Sequence, residues 1–173
     1  IETVRCAQVG EKWVAFERLA AFVQSVDEDQ AIAAIEQAAQ GGGVDGRQIV
    51  DDEIMTAPEL TRLAASDPLV GIGAHTLTHP NLKRVGAERL MRELRQSATE
   101  VAAYCGRLPS VVAHPYGGRN AVGPREATAA RESGFAVAVT TQPGVLGPES
   151  IDHLTALPRV SLNGYYQKKR YVR

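Results

Sequence analysis

From Leu69 onward, short apolar runs alternate with longer amphipathic stretches, and that alternation limits the folds open to the chain. Leu69-Val70-Gly71-Ile72-Gly73-Ala74 reads as a buried strand whose glycines permit close backbone approach. The stretch from about Ala87 to Cys105 puts Leu90, Met91, Leu94, Ala98 and Val101 on one helical face, and Gly106 stops it. Val111-Val112-Ala113 is a short strand closed by Pro115-Tyr116-Gly117-Gly118. A helix from about Pro124 to Ser133 ends at Gly134. Phe135 to Thr140 reads as a strand, as does Leu154 to Leu162 despite Pro158. Strand, helix, strand, helix, strand is the rhythm of a parallel sheet or barrel.

Upstream the pattern is helical. Trp13, Phe16, Leu19, Ala20, Phe22 and Val23 recur at helical spacing within residues 11–40. Ser25 or Asp27 can cap a second helix, Glu28 to Ala39, which Gly41-Gly42-Gly43 ends. Residues 41–53 read as a loop, with Asp51-Asp52 as a solvated acidic pair. Thr56-Ala57-Pro58-Glu59 is a capping box that starts a short helix to about Ala65.

The 173 residues suit one domain, and a net charge of -1 gives no general attraction for nucleic acid or anionic lipid. No apolar run approaches the roughly 20 residues of a membrane span. Cys6 and Cys105 make no cysteine framework: they are idle thiols or a single disulfide. Because the chain begins at Ile1 rather than Met, it reads as a fragment or a processed product, and the lack of a leader is uninformative.

Two motifs carry chemistry. In Gly73-Ala74-His75-Thr76-Leu77-Thr78-His79-Pro80, two histidines stand four apart just beyond a strand, where barrel active sites collect. Imidazole nitrogen suits zinc and similar divalent metals, and such a pair can converge on one ion from a helical turn or a tight loop. On spacing alone the pair is equally compatible with packing or surface histidines. Ala113-His114-Pro115-Tyr116-Gly117-Gly118 follows the next strand. Its glycines let the backbone turn so that an amide can face an oxyanion, and by itself it is also an ordinary turn.

Together the motifs resemble the polysaccharide deacetylases of carbohydrate esterase family four. His75-Thr-Leu-Thr-His79-Pro80 is similar to that family's metal motif, and Pro115-Tyr116-Gly117 to its next motif, in family order and separated by one long helix. Thr141-Gln-Pro-Gly144 and Leu157-Pro-Arg-Val-Ser-Leu-Asn-Gly164 look like a bacterial exopolysaccharide branch. The similarity covers about residues 54–173, as the catalytic core, and residues 1–53 look like a mainly helical insertion of the same domain. The resemblance implies an α/β fold, a deformed (β/α) barrel incomplete at its N-terminal end. It implies a metal-dependent hydrolase that removes acetyl groups from an acetylated polysaccharide or oligosaccharide, with N-deacetylation of amino sugars foremost. A divalent ion, zinc by preference, would sit on His75 and His79. The Tyr116 backbone amide would hold the oxyanion, and Pro115, Tyr116 and Gly117 would wall the substrate groove.

The chain departs from that pattern in three places. The family's Thr-Phe-Asp-Asp strand, with its base and third metal ligand, has no counterpart before Trp13, and Asp51-Asp52 lacks the preceding apolar strand. The true pair is expected upstream of Ile1. Ala113 stands where the family often has an arginine, and Arg159 is either a substitute positive charge or a surface residue. The late Leu-x-His motif is not plain: His153-Leu154 has the order reversed, so His153 and His114 are two candidates for the catalytic acid. The competing readings are a carbohydrate-binding relic without turnover and another metallohydrolase of the same barrel class. The tail Tyr165 to Tyr171 mixes basic and aromatic residues and is either a sugar or acidic-partner contact or a solvated terminus.

Overall fold

Helix-forming patterns in the first 55 residues become three helices. The computed structural model describes residues 4–161, and the chain divides into two units, Ile1–Met55 and Thr56–Arg173. In the first unit, α1 (Val9–Ser25) packs on α2 (Glu28–Gly41). Of the two expected caps it is Asp27 that caps α2, its carboxylate accepting from the Gln30 amide at 3.1 Å. The stretch expected as a loop holds a further helix, α3 (Gly46–Glu53). Asp45 caps it by accepting from the Arg47 and Gln48 amides, and the Gln48 side chain donates to Asp52 one turn on. Local capping overrides the poor intrinsic propensity of its glycine and aspartates. Asp51 and Asp52 are solvent-exposed, although helical.

The second unit holds α4 (Ala57–Ser66), α5 (Ala87–Cys105), β1 (Val111–Ala113), α6 (Pro124–Glu132) and β2 (Val137–Val139). The Thr56 capping box forms: its amide and hydroxyl both donate to Glu59, at 2.8 and 2.6 Å. Helix α5 follows its apolar stripe, with Leu90, Leu94 and Ala98 buried. Gly106 ends it at φ 71°, donating back to the Ala102 carbonyl. That left-handed conformation suits glycine.

β1 and β2 are parallel, with Val112 opposite Ala138. Ala74 bridges to Val112 on one side, and Leu157 bridges to Val139 on the other, both in parallel sense. Four segments thus run side by side in the order Ala74, β1, β2, Leu157. This is a helix-rich α/β fold with a small parallel sheet, and the described residues form no closed barrel. Two expected strands contract to single bridges. Leu69 is 93% exposed, and only Ala74 of Leu69–Ala74 pairs with β1. Gly73 lies so near the Val111 carbonyl that a Cβ would sit 3.1 Å from it. Before Leu157 the chain runs as a 3₁₀ stretch, Pro148–Ala156, and Pro158 beyond it has no amide to extend the pairing. Leu162 and the Tyr165–Tyr171 tail lie outside the described residues.

The core of this unit gathers Leu82, Leu90, Leu94, Val112, Phe135 and Ala138. Leu94 is fully buried, so Leu94→Ala is expected to lower the unfolding free energy by about 2–5 kcal/mol. Leu69→Ala, at an exposed site, is expected to change it by less than about 0.5 kcal/mol. Urea titration of both variants checks the contrast.

Candidate functional site

Strand order decides which loops meet. The bridge of Ala74 to β1 rests on two backbone bonds, Ala74 amide to Val111 carbonyl and Ala113 amide to Ala74 carbonyl, each 2.9 Å. It therefore sets His75, at the C-terminal end of one segment, beside His114-Pro115-Tyr116 at the end of the next.

His75 Nδ1 lies 2.8 Å from the Ala113 carbonyl. A carbonyl only accepts, so Nδ1 carries the proton and the Nε2 lone pair is left for a ligand. Metal-binding histidines are commonly oriented in this way. The His75 and His79 ring centroids are 4.8 Å apart, and the Tyr116 ring stands 5.0 Å beyond His79, edge to face in both cases. His75, His79 and Tyr116 are all exposed.

A tight loop rather than a helical turn brings the two imidazoles together. Thr76 and His79 have φ of 62° and 57°, and Tyr116 has 59°. Among the described residues these are the non-glycine positions in the left-handed region, and all three fall in the two motifs. Such conformations cost about 1–3 kcal/mol each and persist only where surrounding contacts hold them. At the first motif the Thr76 hydroxyl accepts from the His79 amide at 3.1 Å. A buried carboxylate, Glu93 of α5, accepts from the Leu77 amide at 2.9 Å, the Thr78 amide at 2.8 Å and the Thr78 hydroxyl at 2.6 Å.

At the second motif the Gly117 amide donates to the Pro115 carbonyl at 2.6 Å across Tyr116. With positive φ at its centre this is the rarer, strained hand of the γ-turn. Thr141, just past β2, holds it: its hydroxyl donates to the Tyr116 carbonyl at 2.7 Å and its amide to the Gly117 carbonyl at 3.0 Å. Pro115 and Gly117 are buried under the exposed tyrosine. The two loops also touch. Lys83 Nζ donates to the Arg119 carbonyl at 2.7 Å, and the Asn81 side-chain amide donates to the Asn120 carbonyl at 3.4 Å.

The remaining residues singled out from the sequence sit differently. His114 is 1% exposed, with Nε2 3.1 Å from the Thr155 carbonyl, so Nε2 is the protonated nitrogen. Nδ1 is buried with no hydrogen-bond partner. Burial pushes the imidazole below its ordinary pKa, against the opposing pull of the Thr155 carbonyl and of Glu126. The buried ring braces the end of β1 from which the tyrosine loop departs. Arg159 donates from Nε to the Thr140 carbonyl at 2.8 Å, and from its amide to the Gln142 carbonyl at 3.0 Å, so it anchors the loop that carries Thr141. His153 is exposed within the 3₁₀ stretch, at a non-helical φ of −130°.

Two adjacent exposed imidazoles, with the Ala113 carbonyl engaging Nδ1 of His75 and not Nε2, are donors of the kind that suits a divalent borderline ion such as zinc. They would supply two of the four donors of a tetrahedral set, and no group of three or more His, Cys, Asp or Glu side chains that could hold a metal occurs among the described residues. A surface cleft of about 1020 Å³, lined by Glu36, Arg47 and Asp51 among others, is in the first unit and contains none of these motif residues.

The sequence profile described as polysaccharide deacetylase matches residues 32–138. The chain belongs to the polysaccharide deacetylase family. Its fold is similar to that of the Streptococcus pyogenes deacetylase PplD solved with acetate, at a TM-score of 0.55 and 16% identity over 65% of this chain and 48% of that one. A polysaccharide deacetylase from Bacillus cereus matches at a TM-score of 0.54 and 23% identity, over 65% of this chain and 35% of that one. The BpsB deacetylase domain from Bordetella bronchiseptica matches at 0.53 and 22%, over 61% and 48%. The chain thus spans 35–48% of the length of these three structures. At these identities the likeness is one of fold. No curated protein matches the chain.

Two outcomes are expected. Gly117 has φ 64°, and a Cβ there would lie 2.5 Å from the Thr141 amide nitrogen. Gly117→Ala should therefore displace the tyrosine loop, seen by NMR as shifts at Tyr116 and Thr141, and should destabilise the chain by more than the roughly 1–2 kcal/mol of a left-handed alanine. His114 is harder to protonate in the folded chain than in the unfolded one. Stability present above its ordinary pKa of 6.5 should therefore be lost as pH falls below that value. Urea midpoints should drop on acidification from neutral pH, and a His114→Gln chain that still folds should show a smaller drop.

Proposed function

We propose that this deacetylase-family chain hydrolyses acetyl groups from a polysaccharide or oligosaccharide, N-acetylated amino sugars foremost, with His75 and His79 holding a divalent metal ion. The observation that carries the reading is the convergence of the two imidazoles with Tyr116 at the C-terminal ends of adjacent parallel segments, on strained backbone that only neighbouring contacts maintain. In this reading the small sheet is part of a deformed (β/α) barrel, and residues 1–53 are a helical insertion.

A zinc ion, when bound, supplies Lewis-acid polarisation of the acetyl carbonyl and a more acidic water. The chain's own groups do the rest. His75 keeps its ligand nitrogen outward through the Ala113 carbonyl. His79 packs edge to face with the Tyr116 ring, at a centroid distance of 5.0 Å, and that contact orients the imidazole. The γ-turn at Tyr116 presents that residue's backbone amide toward the developing oxyanion, a contribution of about 10²–10³ in rate for a well-aimed donor. Pro115, Tyr116 and Gly117 form the wall on which the sugar lies, and an exposed tyrosine ring is suited to stacking on a pyranose face. Arg159 contributes a positive charge at the same end of the sheet. His153, unlike His114, is open to solvent and is the better of the two histidine candidates for donating a proton to the leaving amine.

One observation favours a second reading, a glycan-binding chain without turnover: the described residues hold no group of three or more His, Cys, Asp or Glu side chains that could take a metal, and the Glu93 carboxylate beneath the histidine loop is engaged by the Leu77 and Thr78 amides and the Thr78 hydroxyl. Acetate release from acetylated chitooligosaccharide separates the two. Hydrolysis that requires zinc, rises with added formate as an external carboxylate, and disappears in His79→Ala is the expected result. Saturable glycan binding with no zinc-dependent acetate release under those conditions would replace the hydrolytic reading with the binding one.

A further inference from the structure

Glu93 is the charged residue in the interior of α5's buried stripe. It stands between Leu90 and Leu94 and is 2% exposed. An ionised group is costly in such a place unless it is fully hydrogen-bonded. Nothing in helix packing calls for a carboxylate there. Its bonds go to one short segment: one oxygen takes the Leu77 and Thr78 amides, and the other takes the Thr78 hydroxyl. Arg89, one turn earlier on α5, adds a longer ion pair at 3.7 Å.

That segment is the spacer between the two histidines. Thr76 at φ 62° opens it and His79 at φ 57° closes it. The left-handed Thr76 turns the next two amides the same way, which makes a backbone nest of the kind that binds anions. Here the anion is a side chain of the same protein, delivered from a rigid helix. The spacer is thereby tied to α5, while both flanking imidazoles are exposed.

We propose that Glu93 is the positioning residue of the His75–His79 pair: its carboxylate fills the Leu77–Thr78 nest and so keeps the two imidazoles in register for one metal ion. The inference rests on the metal reading given above and adds the element that enforces the geometry. Groups that orient metal ligands in this way affect affinity by about 10–100-fold when removed. Glu93→Leu makes the sharpest variant, because leucine suits an apolar helix face, so the fold can survive while the nest is emptied.

The experiment combines zinc titration calorimetry with amide exchange by NMR on the whole chain, comparing the parent with Glu93→Leu, Glu93→Gln, Thr78→Val and His79→Ala. Expected in Glu93→Leu are a thermal midpoint near or above the parent's, faster exchange at Leu77 and Thr78 with unchanged exchange at Leu94, and zinc affinity lower by about 10–100-fold. Glu93→Gln should rescue much of the affinity, because its carboxamide oxygen can accept the same two amides and the Thr78 hydroxyl can turn to accept from the carboxamide N–H. Thr78→Val, which keeps the carboxylate, should fall between, and it carries the comparison should Glu93→Leu not fold. Zinc binding that is lost in His79→Ala but unchanged in Glu93→Leu and Thr78→Val overturns the positioning role and leaves the metal reading intact. A parent chain that takes up no zinc overturns the metal reading, and the role of Glu93 with it.

Discussion

Two backbone hydrogen bonds, from Ala74 to Val111 and from Ala113 to Ala74, decide where everything else in the site can be. They add a single residue to the small parallel sheet, yet they fix the exit of one loop beside the exit of the next. Parallel pairing matters here, because it sends both loops off the same end of the sheet. The helix that must return the chain between them, α5, then lies under the first loop. One connection therefore does three things: it covers the sheet, supplies the core residues Leu90 and Leu94, and carries the carboxylate that holds the histidine loop.

Strain is concentrated where those loops meet. Thr76, His79 and Tyr116 adopt conformations that side-chain-bearing residues avoid, and each has a dedicated restraint. The Thr76 hydroxyl takes the His79 amide, Glu93 takes the two amides between, and Thr141 grips the carbonyls of Tyr116 and Gly117. Such strain is stable only when the scaffold around it over-determines the geometry, and it is characteristic of places where side chains must be aimed. The buried, neutral His114 belongs to this scaffold and not to the exposed surface, since its ring ties the strand after which the tyrosine loop turns to the Thr155 carbonyl.

Much of this was legible in the sequence where local chemistry is strong. The capping box at Thr56, the long stripe ending at Gly106, and the turn that follows β1 all correspond to what folds. Pairing was less legible. Leu69–Ala74 looks like a strand by composition, but a strand needs a neighbour along its whole length, and only Ala74 finds one. Helix α3 was missed because its composition is poor, and its stability comes from Asp45 and the Gln48–Asp52 pair. Glu93 belongs to no recognisable motif. Its signal was positional: it falls three residues after Leu90 and beside Leu94, on the face that α5 buries. The same criterion, a charge inside an apolar stripe, marks Glu126 on α6, which is also buried and accepts from the Gly123 amide and from Arg125.

The account turns on both imidazoles binding one ion, each through nitrogen. X-ray absorption at the zinc edge of the zinc-loaded chain reads this directly. The prediction is two imidazole nitrogens at about 2.0–2.1 Å with oxygen in the remaining positions, falling to one imidazole in His79→Ala. A spectrum dominated by sulfur at about 2.3 Å would place the ion on Cys6 or Cys105 instead, and one with a single imidazole in the parent chain would show that the pair does not act together; either would contradict the account.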